Sequence, residues 1–271
     1  MKTAVITVVH GRAAHLRRQI DGLALSARKP DEHIVVAVAD ASVADTVASA
    51  GWHANVVQLD ESPPLPIALA RNAGADVAIA EGAELLVFLD VDCIPARGLL
   101  DRYCHAAATP EHRDALLCGP VTYLSPPGPH GYVLSELKID PHPARPVPAD
   151  DVIADSSDYT LFWSLSFALT VRTWTRIGGF CEVYRGYGGE DTDFGQRAAA
   201  SGVPMRWVGG AHAFHQYHPV SDPPVQHLAD IVRNAQVFQR RWGWWPMEGW
   251  LSAFEGMGAI GRGADGRPYL S

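Results

Sequence analysis

The stretch LLVFLDVDCIP, residues 85–95, decides how the chain is read. Five unbroken apolar residues form a run of strand length, suited to a strand buried on both faces. The run ends at Asp90 and Asp92, with only Val91 between them. Carboxylates at i and i+2 of an extended chain point the same way. Side by side they repel, so they call for a cation or a shared proton. A hard divalent metal with oxygen ligands, itself bridged to phosphates, meets that need. Alone, an Asp-x-Asp turn after a strand is a common solvated feature, so the surroundings carry the weight.

Working outward on the N-terminal side, IALARNAGADVAIAEG (67–82) reads as an Ala-rich helix that Pro66 opens and Gly82 closes. NVVQLD (55–60), HIVVAVAD (33–40) and TAVITVV (3–9) read as strands, and AAHLRRQIDGLAL (13–25) as a helix. Alternation of this kind predicts an α/β chain with a mostly parallel sheet flanked by helices. Such sheets bind ligands at the carboxyl ends of their strands. His10, Gly11 and Arg12 after the first strand, Asp40 after the second, and Asp90 and Asp92 after the fourth are then expected on one edge.

On the C-terminal side, residues 124–150 are rich in Pro and His and read as a long surface loop, a candidate lid that governs the acceptor. WSLSFALTV (163–171) alternates in the manner of a half-buried strand. Residues 177–202 place Gly-rich turns ahead of a helix that Gly202 closes. A helix is expected near 222–242, capped by Asp222, opened by Pro223 or Pro224 and closed by Gly243. The aromatic cluster WGWWPMEGW (242–250) reads as a packed C-terminal cap in preference to a sugar platform. The expected organisation is a catalytic domain over 1–220, with halves 1–123 and 124–220, and a helical extension over 221–271 packed on it.

The totals are consistent with this plan. In 271 residues, 47% are hydrophobic, enough for a sizeable core. A net charge of −8 argues against nucleic acid or an anionic membrane as the main partner. Four cysteines without a C-x-x-C pair indicate neither a zinc site nor a disulfide framework. No apolar run has the length of a signal peptide core or a membrane span. The expectation is a cytoplasmic protein, with peripheral work at the inner membrane face left open.

ARNAGADVAIAEGAELLVFLDVDCIP (70–95) resembles the core of the family-2-type glycosyltransferases, which have the nucleotide-sugar-binding GT-A fold. Arg71, Asn72 and Gly74 match the helix motif, and Asp90 and Asp92 the D-x-D. The chain departs at the first strand, where Val9, His10, Gly11 and Arg12 replace Pro-Thr-Tyr-Asn. It departs again at the second, where Ala39 takes the place of an acid and only Asp40 and Ser42 remain. IGGFCEVYRGYGGEDTDFGQRAAASG (177–202) resembles the galactosyltransferase-like C-terminal region of related enzymes, with Cys181 where Asp is usual.

The resemblance implies a GT-A, Rossmann-like fold and a metal-dependent glycosyltransferase using a nucleotide-diphospho-sugar, with a UDP-sugar as the expected donor. It implies a nucleotide-sugar site of Val9, His10, Gly11, Arg12, Asp40, Arg71, Asp90, Val91 and Asp92. It assigns Mn²⁺ or Mg²⁺ to Asp92, with Asp90 nearby. Asp191 is the implied general base and Glu190 the acceptor-binding acid, in an inverting displacement. The histidines of GGAHAFHQYHP (209–219) fall where the family has a C-terminal metal ligand; His215 is preferred, then His218, then His212. Trp163, Tyr187, Gly188 and Gly189 are the expected acceptor or sugar contacts. The partners are the sugar nucleotide and a small-molecule, glycan or lipid-linked acceptor.

Two other classes compete. A phosphohydrolase can use D-x-D as nucleophile and acid, but normally on the first strand and with a later catalytic Lys. Only Lys138, in the Pro-rich loop, is available for that. A non-catalytic nucleotide- or sugar-binding relative is the other, and intact acids in both motifs argue against it.

Overall fold

A computed structural model describes residues 1–271. The N-terminal half runs β1 (Thr3–Val9), α1 (Ala13–Leu25), β2 (Glu32–Val38), α2 (Ser42–Ser49), β3 (Asn55–Leu59), α3 (Ile67–Ala80) and β4 (Leu85–Leu89). Next come β5 (Cys93–Pro95), α4 (Leu99–Ala108), β6 (Leu116–Cys118), β7 (Val121–Tyr123), β8 (Ile153–Ser156), β9 (Ser166–Thr170), α5 (Val171–Ile177) and α6 (Glu190–Ala200). The chain closes with β10 (Met205–Val208), β11 (Ala213–His215), α7 (Leu228–Trp242), α8 (Glu248–Gly256), β12 (Ile260–Arg262) and β13 (Pro268–Leu270).

Eight strands form one sheet in the order β3-β2-β1-β4-β9-β6-β10-β8. The first four are mutually parallel, while β9 and β8 run against their neighbours. A small sheet, β5-β11-β7, sits beyond the D-x-D turn, and β12 and β13 form a terminal hairpin. This is the mixed, mostly parallel α/β architecture expected of the GT-A fold. Helix α3 lies close on the sheet because Gly74 has no side chain. A Cβ there would meet the Ile6 side chain at 2.6 Å and that of Val36 at 3.0 Å. Behind the site, Phe88 stacks on Phe167 at 4.6 Å and Phe180 on Phe194 at 4.3 Å. These rings lock β4, β9, α6 and the GGF segment into one core.

Four local expectations change. The strand at 163–171 shortens to β9 and is buried throughout, not half-buried. It lies between β4 and β6, so both of its faces are covered, and small Ser166 and Ala168 fill the second face. Asp222 does not cap α7. Its peptide bond to Pro223 is cis, a 3-10 turn occupies Val225–His227, and α7 starts at Leu228. RWVGGAHAFH (206–215), read from the sequence as a strand that carries His215 toward the site, is two strands broken at Gly209 and Gly210. Strand β2 stops at Val38 because Ala39 takes a positive φ of 45°, a rare conformation for a residue with a side chain. The Gly-closed ends of α6 and α7 are as read, and residues 124–150 hold no strand and one 3-10 turn. Most of the Trp-rich stretch packs, with Trp245 and Trp250 against the cluster of α7 and α8. No helix is long and apolar enough to cross a membrane.

Candidate active site

The carboxyl ends of β1, β2 and β4 converge with β11 and the start of α6. Asp92 follows β4 by three residues, and the β5–β11 pairing sets Cys93 opposite His215. Asp92 Oδ2 lies 3.6 Å from His215 Nε2 and 3.5 Å from His218 Nε2. One ligand atom from each of Asp92, His215 and His218 falls within 4.8 Å of the others. Two ligands about 2.1 Å from a metal sit roughly 3.0–3.4 Å apart at octahedral or tetrahedral angles. This donor set, one carboxylate and two imidazoles, therefore fits a borderline divalent cation. His215 stacks on Tyr123 at 4.6 Å, which fixes its ring plane. His218 is edge-on to His15 at 6.4 Å. Burial, then Arg12, lowers the pKa of His218, which favours the neutral, ligating form. Gln216, fully buried, ties this corner together: its N–H donates to the Asp92 carbonyl at 2.7 Å, and its amide to the His15 carbonyl at 3.0 Å.

Asp90 faces elsewhere. Arg71, 5% exposed, donates to Asp90 at 3.0 Å and to Glu190 at 3.1 Å. Burial alone would lower the Arg71 pKa, but the two carboxylates outweigh it and hold the guanidinium charged. Burial pushes the Asp90 carboxyl up against the opposing pull of Arg71. Glu190 Oε2 is buried with no partner, an acceptor free for a hydroxyl. The neighbouring Asn72 accepts from Phe180 N–H at 2.8 Å and donates to the Phe180 carbonyl at 3.0 Å. The Arg-Asn pair of the first motif thus grips the second motif directly.

Asp191 opens α6 beside Glu190. Burial first, then the Glu190 charge, pushes its carboxyl up to about 7. Its Oδ1 accepts from the Thr192 N–H at 2.7 Å, which leaves Oδ2 for a further partner. The loop ahead of it needs glycine. Gly188 and Gly189 have φ of 90° and 91°, and a Cβ on Gly186 would collide with the Asp230 carboxylate. Helix α7 holds this loop. Asn234 donates to the carbonyls of Arg185, Tyr187 and Gly188 at 2.9, 3.2 and 2.8 Å. Fully buried Asp193 accepts from Arg241 at 2.6 Å and from the Trp242 indole at 2.7 Å. Tyr187 stands at the mouth, 43% exposed, stacked on His227 at 4.4 Å. Burial raises its phenol to about 12, and the charges of Asp191, Glu190, Asp92 and Asp90 all add to the shift.

The remaining expected residues divide. Asp40 accepts from the Ser42 hydroxyl at 2.6 Å and the Gly11 N–H at 2.8 Å, which lower its pKa and tie the first two strand ends together. His10 bonds the Val38 carbonyl at 2.8 Å. His212 turns away into the core, bonded to Thr122 at 2.8 Å, with its pKa lowered to about 4 by burial. Trp163 packs against His142 and the buried Arg145. Asn72 stood in the helix motif without a role, and Gln19, Tyr123, Gln216 and Asn234 were not singled out. Gln19, Gln216 and Asn234 act through backbone groups distant in sequence, and Tyr123 through the His215 ring.

Comparison with known proteins bears on the fold and on the second motif. A family described as the N-terminal domain of galactosyltransferase matches residues 152–219. Validoxylamine A glucosyltransferase of Streptomyces hygroscopicus subsp. limoneus is 28% identical over 228 residues, covering 74% of this chain and 49% of the relative. The enzyme of the same name from S. hygroscopicus subsp. jinggangensis is also 28% identical, covering 52% of its length. The chain spans about half the length of the curated relatives it matches. Among solved structures, S. aureus TarS 1–349 superposes with a TM-score of 0.59 at 15% identity, over 88% of this chain and 64% of that one. GalNAc-T7 with UDP, GalNAc and Mn²⁺ superposes with a TM-score of 0.58 at 15% identity, over 88% and 48%. TarS 1–349 has also been solved with UDP-GlcNAc, and that complex superposes with a TM-score of 0.58 at 14% identity, over 93% and 76%. The chain therefore has the GT-A fold of these glycosyltransferases, with a segment similar to a galactosyltransferase domain across its second motif.

Proposed function

We propose that this chain is a metal-dependent glycosyltransferase that moves a sugar from a UDP-sugar to a hydroxyl acceptor with inversion. The observation that carries the reading is the convergence of Asp92, His215 and His218 at the end of the D-x-D strand. It stands beside a second acid pair, Glu190 and Asp191, whose upper member titrates near neutrality. Relatives named as glucosyltransferases and neighbours solved with UDP or UDP-GlcNAc support the donor class.

Asp92, His215 and His218 would hold Mn²⁺ or Mg²⁺, which supplies positive charge to the leaving diphosphate. The uridine would lie along the strand ends from His10–Arg12 to Asp40, with Arg12 as a cation near the phosphates. Arg71, already bound by two carboxylates, holds Asp90 and Glu190 in place. The orphaned Glu190 Oε2 accepts a hydrogen bond from a sugar hydroxyl, and Tyr187 offers a ring face beside it. Asp191 takes the acceptor proton as that oxygen bonds to the anomeric carbon and the bond to the diphosphate breaks. A base with a pKa near 7 is ionised enough to act at neutral pH while remaining strong enough to pull the proton.

Calorimetry with UDP and GDP, each with Mn²⁺, Mg²⁺ or EDTA, tests the reading. Binding of UDP only with metal is the expected result. Equal binding in EDTA removes the metal from the site. No nucleotide binding under any condition moves the weight to a phosphohydrolase or a non-catalytic relative.

A further inference from the structure

A line of buried polar side chains runs from Trp52, just past α2, to the backbone of the Asp90–Cys93 turn. Trp52 Nε1 lies 3.0 Å from His33 Nδ1. His33 Nε2 lies 3.2 Å from Thr7 Oγ1. Thr7 Oγ1 lies 2.9 Å from Gln19 Oε1. Gln19 Nε2 lies 2.7 Å from the Asp90 carbonyl and 3.1 Å from that of Cys93. Thr7 and Gln19 are fully buried and His33 is 3% exposed.

Every proton in this line has one place. An indole N–H only donates, so His33 Nδ1 accepts. Burial pushes the His33 pKa down to about 3, so the ring is neutral and its single proton sits on Nε2. That proton goes to Thr7 Oγ1, and the Thr7 hydroxyl proton is left for Gln19 Oε1. The Gln19 amide is then oriented with both N–H groups toward carbonyls that can only accept. Those two carbonyls flank Asp92 on either side, and the Cys93 N–H closes the same turn onto the Asp90 carbonyl at 2.8 Å.

We propose that Gln19 is a positioning residue for the D-x-D turn, and that Trp52, His33 and Thr7 fix the direction its amide faces. The claim rests on Asp92 being a metal ligand. It gives Trp52, which has no hydrogen bond to Asp92, His215 or His218, an influence on the site. Without the indole N–H, His33 is free to carry its proton on Nδ1. Thr7 can then donate to Nε2, and Gln19 Oε1 loses its donor.

The full-length chain and three variants, Gln19→Met, Thr7→Val and Trp52→Phe, test this. The first readout is the ring-nitrogen NMR shifts of His33, the second is titration with Mn²⁺ alone followed by electron paramagnetic resonance, and the third is calorimetry of UDP with Mn²⁺. The wild type is expected to show the Nε2–H tautomer, and Trp52→Phe a growing Nδ1–H population. Removal of groups that orient metal ligands typically weakens metal affinity about 10–100-fold, and roughly tenfold loss is expected for Gln19→Met and Thr7→Val. Trp52→Phe is expected to lose about threefold, since one tautomer keeps the old arrangement.

Thr7→Val is nearly isosteric, so a packing role alone leaves its metal affinity unchanged. Folded Thr7→Val and Gln19→Met variants that bind Mn²⁺ within about twofold of wild type overturn the proposal. An Nδ1–H tautomer in the wild type does so as well. If Gln19→Met does not fold, Thr7→Val and the tautomer decide. A wild type that binds Mn²⁺ but no UDP sinks the transferase reading and leaves the positioning claim to the Mn²⁺ data. A wild type that binds neither removes both.

Discussion

The strand-end side of the site and its loop side are held by different means. Asp40, Asp90 and Asp92 follow directly on buried strands, so sheet register sets their positions and neighbours in sequence are neighbours in space. Tyr187 to Asp191 lie on an irregular Gly-rich loop with no ladder of its own. Its carbonyls are tied down by Asn234, and Asp193, at the start of the following helix, by Arg241 and Trp242, all more than forty residues later. The first arrangement rests on the sheet, with the D-x-D turn tied in addition to Gln19 of α1. The second is adjustable, because one helix controls a whole loop. A scaffold that keeps its donor site and varies its acceptor site is served by that division.

The largest expected effect separates the two sides by chemistry. Asp191→Asn is expected to lower kcat by about 10²–10⁴-fold while leaving metal-dependent UDP affinity unchanged. Steady-state kinetics beside calorimetry checks it, and a comparable loss in UDP binding would merge the two sides into one. The wild-type rate is expected to fall as pH drops through about 7, since Asp191 acts only when ionised. The stability sign follows from the same shift. A carboxyl raised in the folded state stabilises below its ordinary pKa and loses that contribution as pH rises through about 7. Asp191→Asn is therefore expected to have a higher Tm than wild type at pH 8, with the gain shrinking toward pH 4.

Next comes Asp92→Ala, which acts on the other side. Metal-dependent UDP affinity is expected to fall by roughly 100-fold or more, since loss even of outer groups costs about 10–100-fold. Near-wild-type binding with an intact fold removes Asp92 from the metal site. Arg71→Met tests the joint between the sides. Its loss strands two partly buried carboxylates, and breaking a fully buried ion pair costs about 3–5 kcal/mol, so a loss below that range is expected. Denaturant unfolding is expected to show that loss, and residual activity to fall in both UDP affinity and kcat.

How much of this was legible follows from the same division. The sheet, the D-x-D strand and the helix after GGED could be read because hydrophobic runs and glycine punctuation are local signals. The central burial of β9 was missed because alternation in 163–171 describes one strand, while its neighbours decide whether the second face is covered. Asp222 looked like a cap from composition, but the Pro pair after it turns the chain before α7 begins. His215 and His218 were reached through the family resemblance, and their approach to Asp92 depends on a β5–β11 pairing that no local pattern encodes. Gln19 and Asn234 are ordinary amides on amphipathic helices until their carbonyl partners are known.

The smallest expected effect is the sharpest test of the division. Asn234→Ala removes three hydrogen bonds to the carbonyls of Arg185, Tyr187 and Gly188 without touching any acid. Leaving buried polar groups unsatisfied costs about 1–3 kcal/mol, so a fall in stability of that order is expected. The loop carries Tyr187 and leads into Glu190 and Asp191, so the acceptor KM is expected to rise several-fold. Asp92, His215 and His218 hang from β4 and β11, which Asn234 does not contact, so UDP affinity with Mn²⁺ is expected to stay at the wild-type value. Asn234→Asp keeps the size but loses the donors, and it is expected to behave like the alanine variant. If it instead matches wild type, the loop is held by shape and not by those hydrogen bonds. If either variant weakens UDP binding as much as acceptor use, the two sides share one support, and Arg71 with Asn72 is the link that carries the disturbance across.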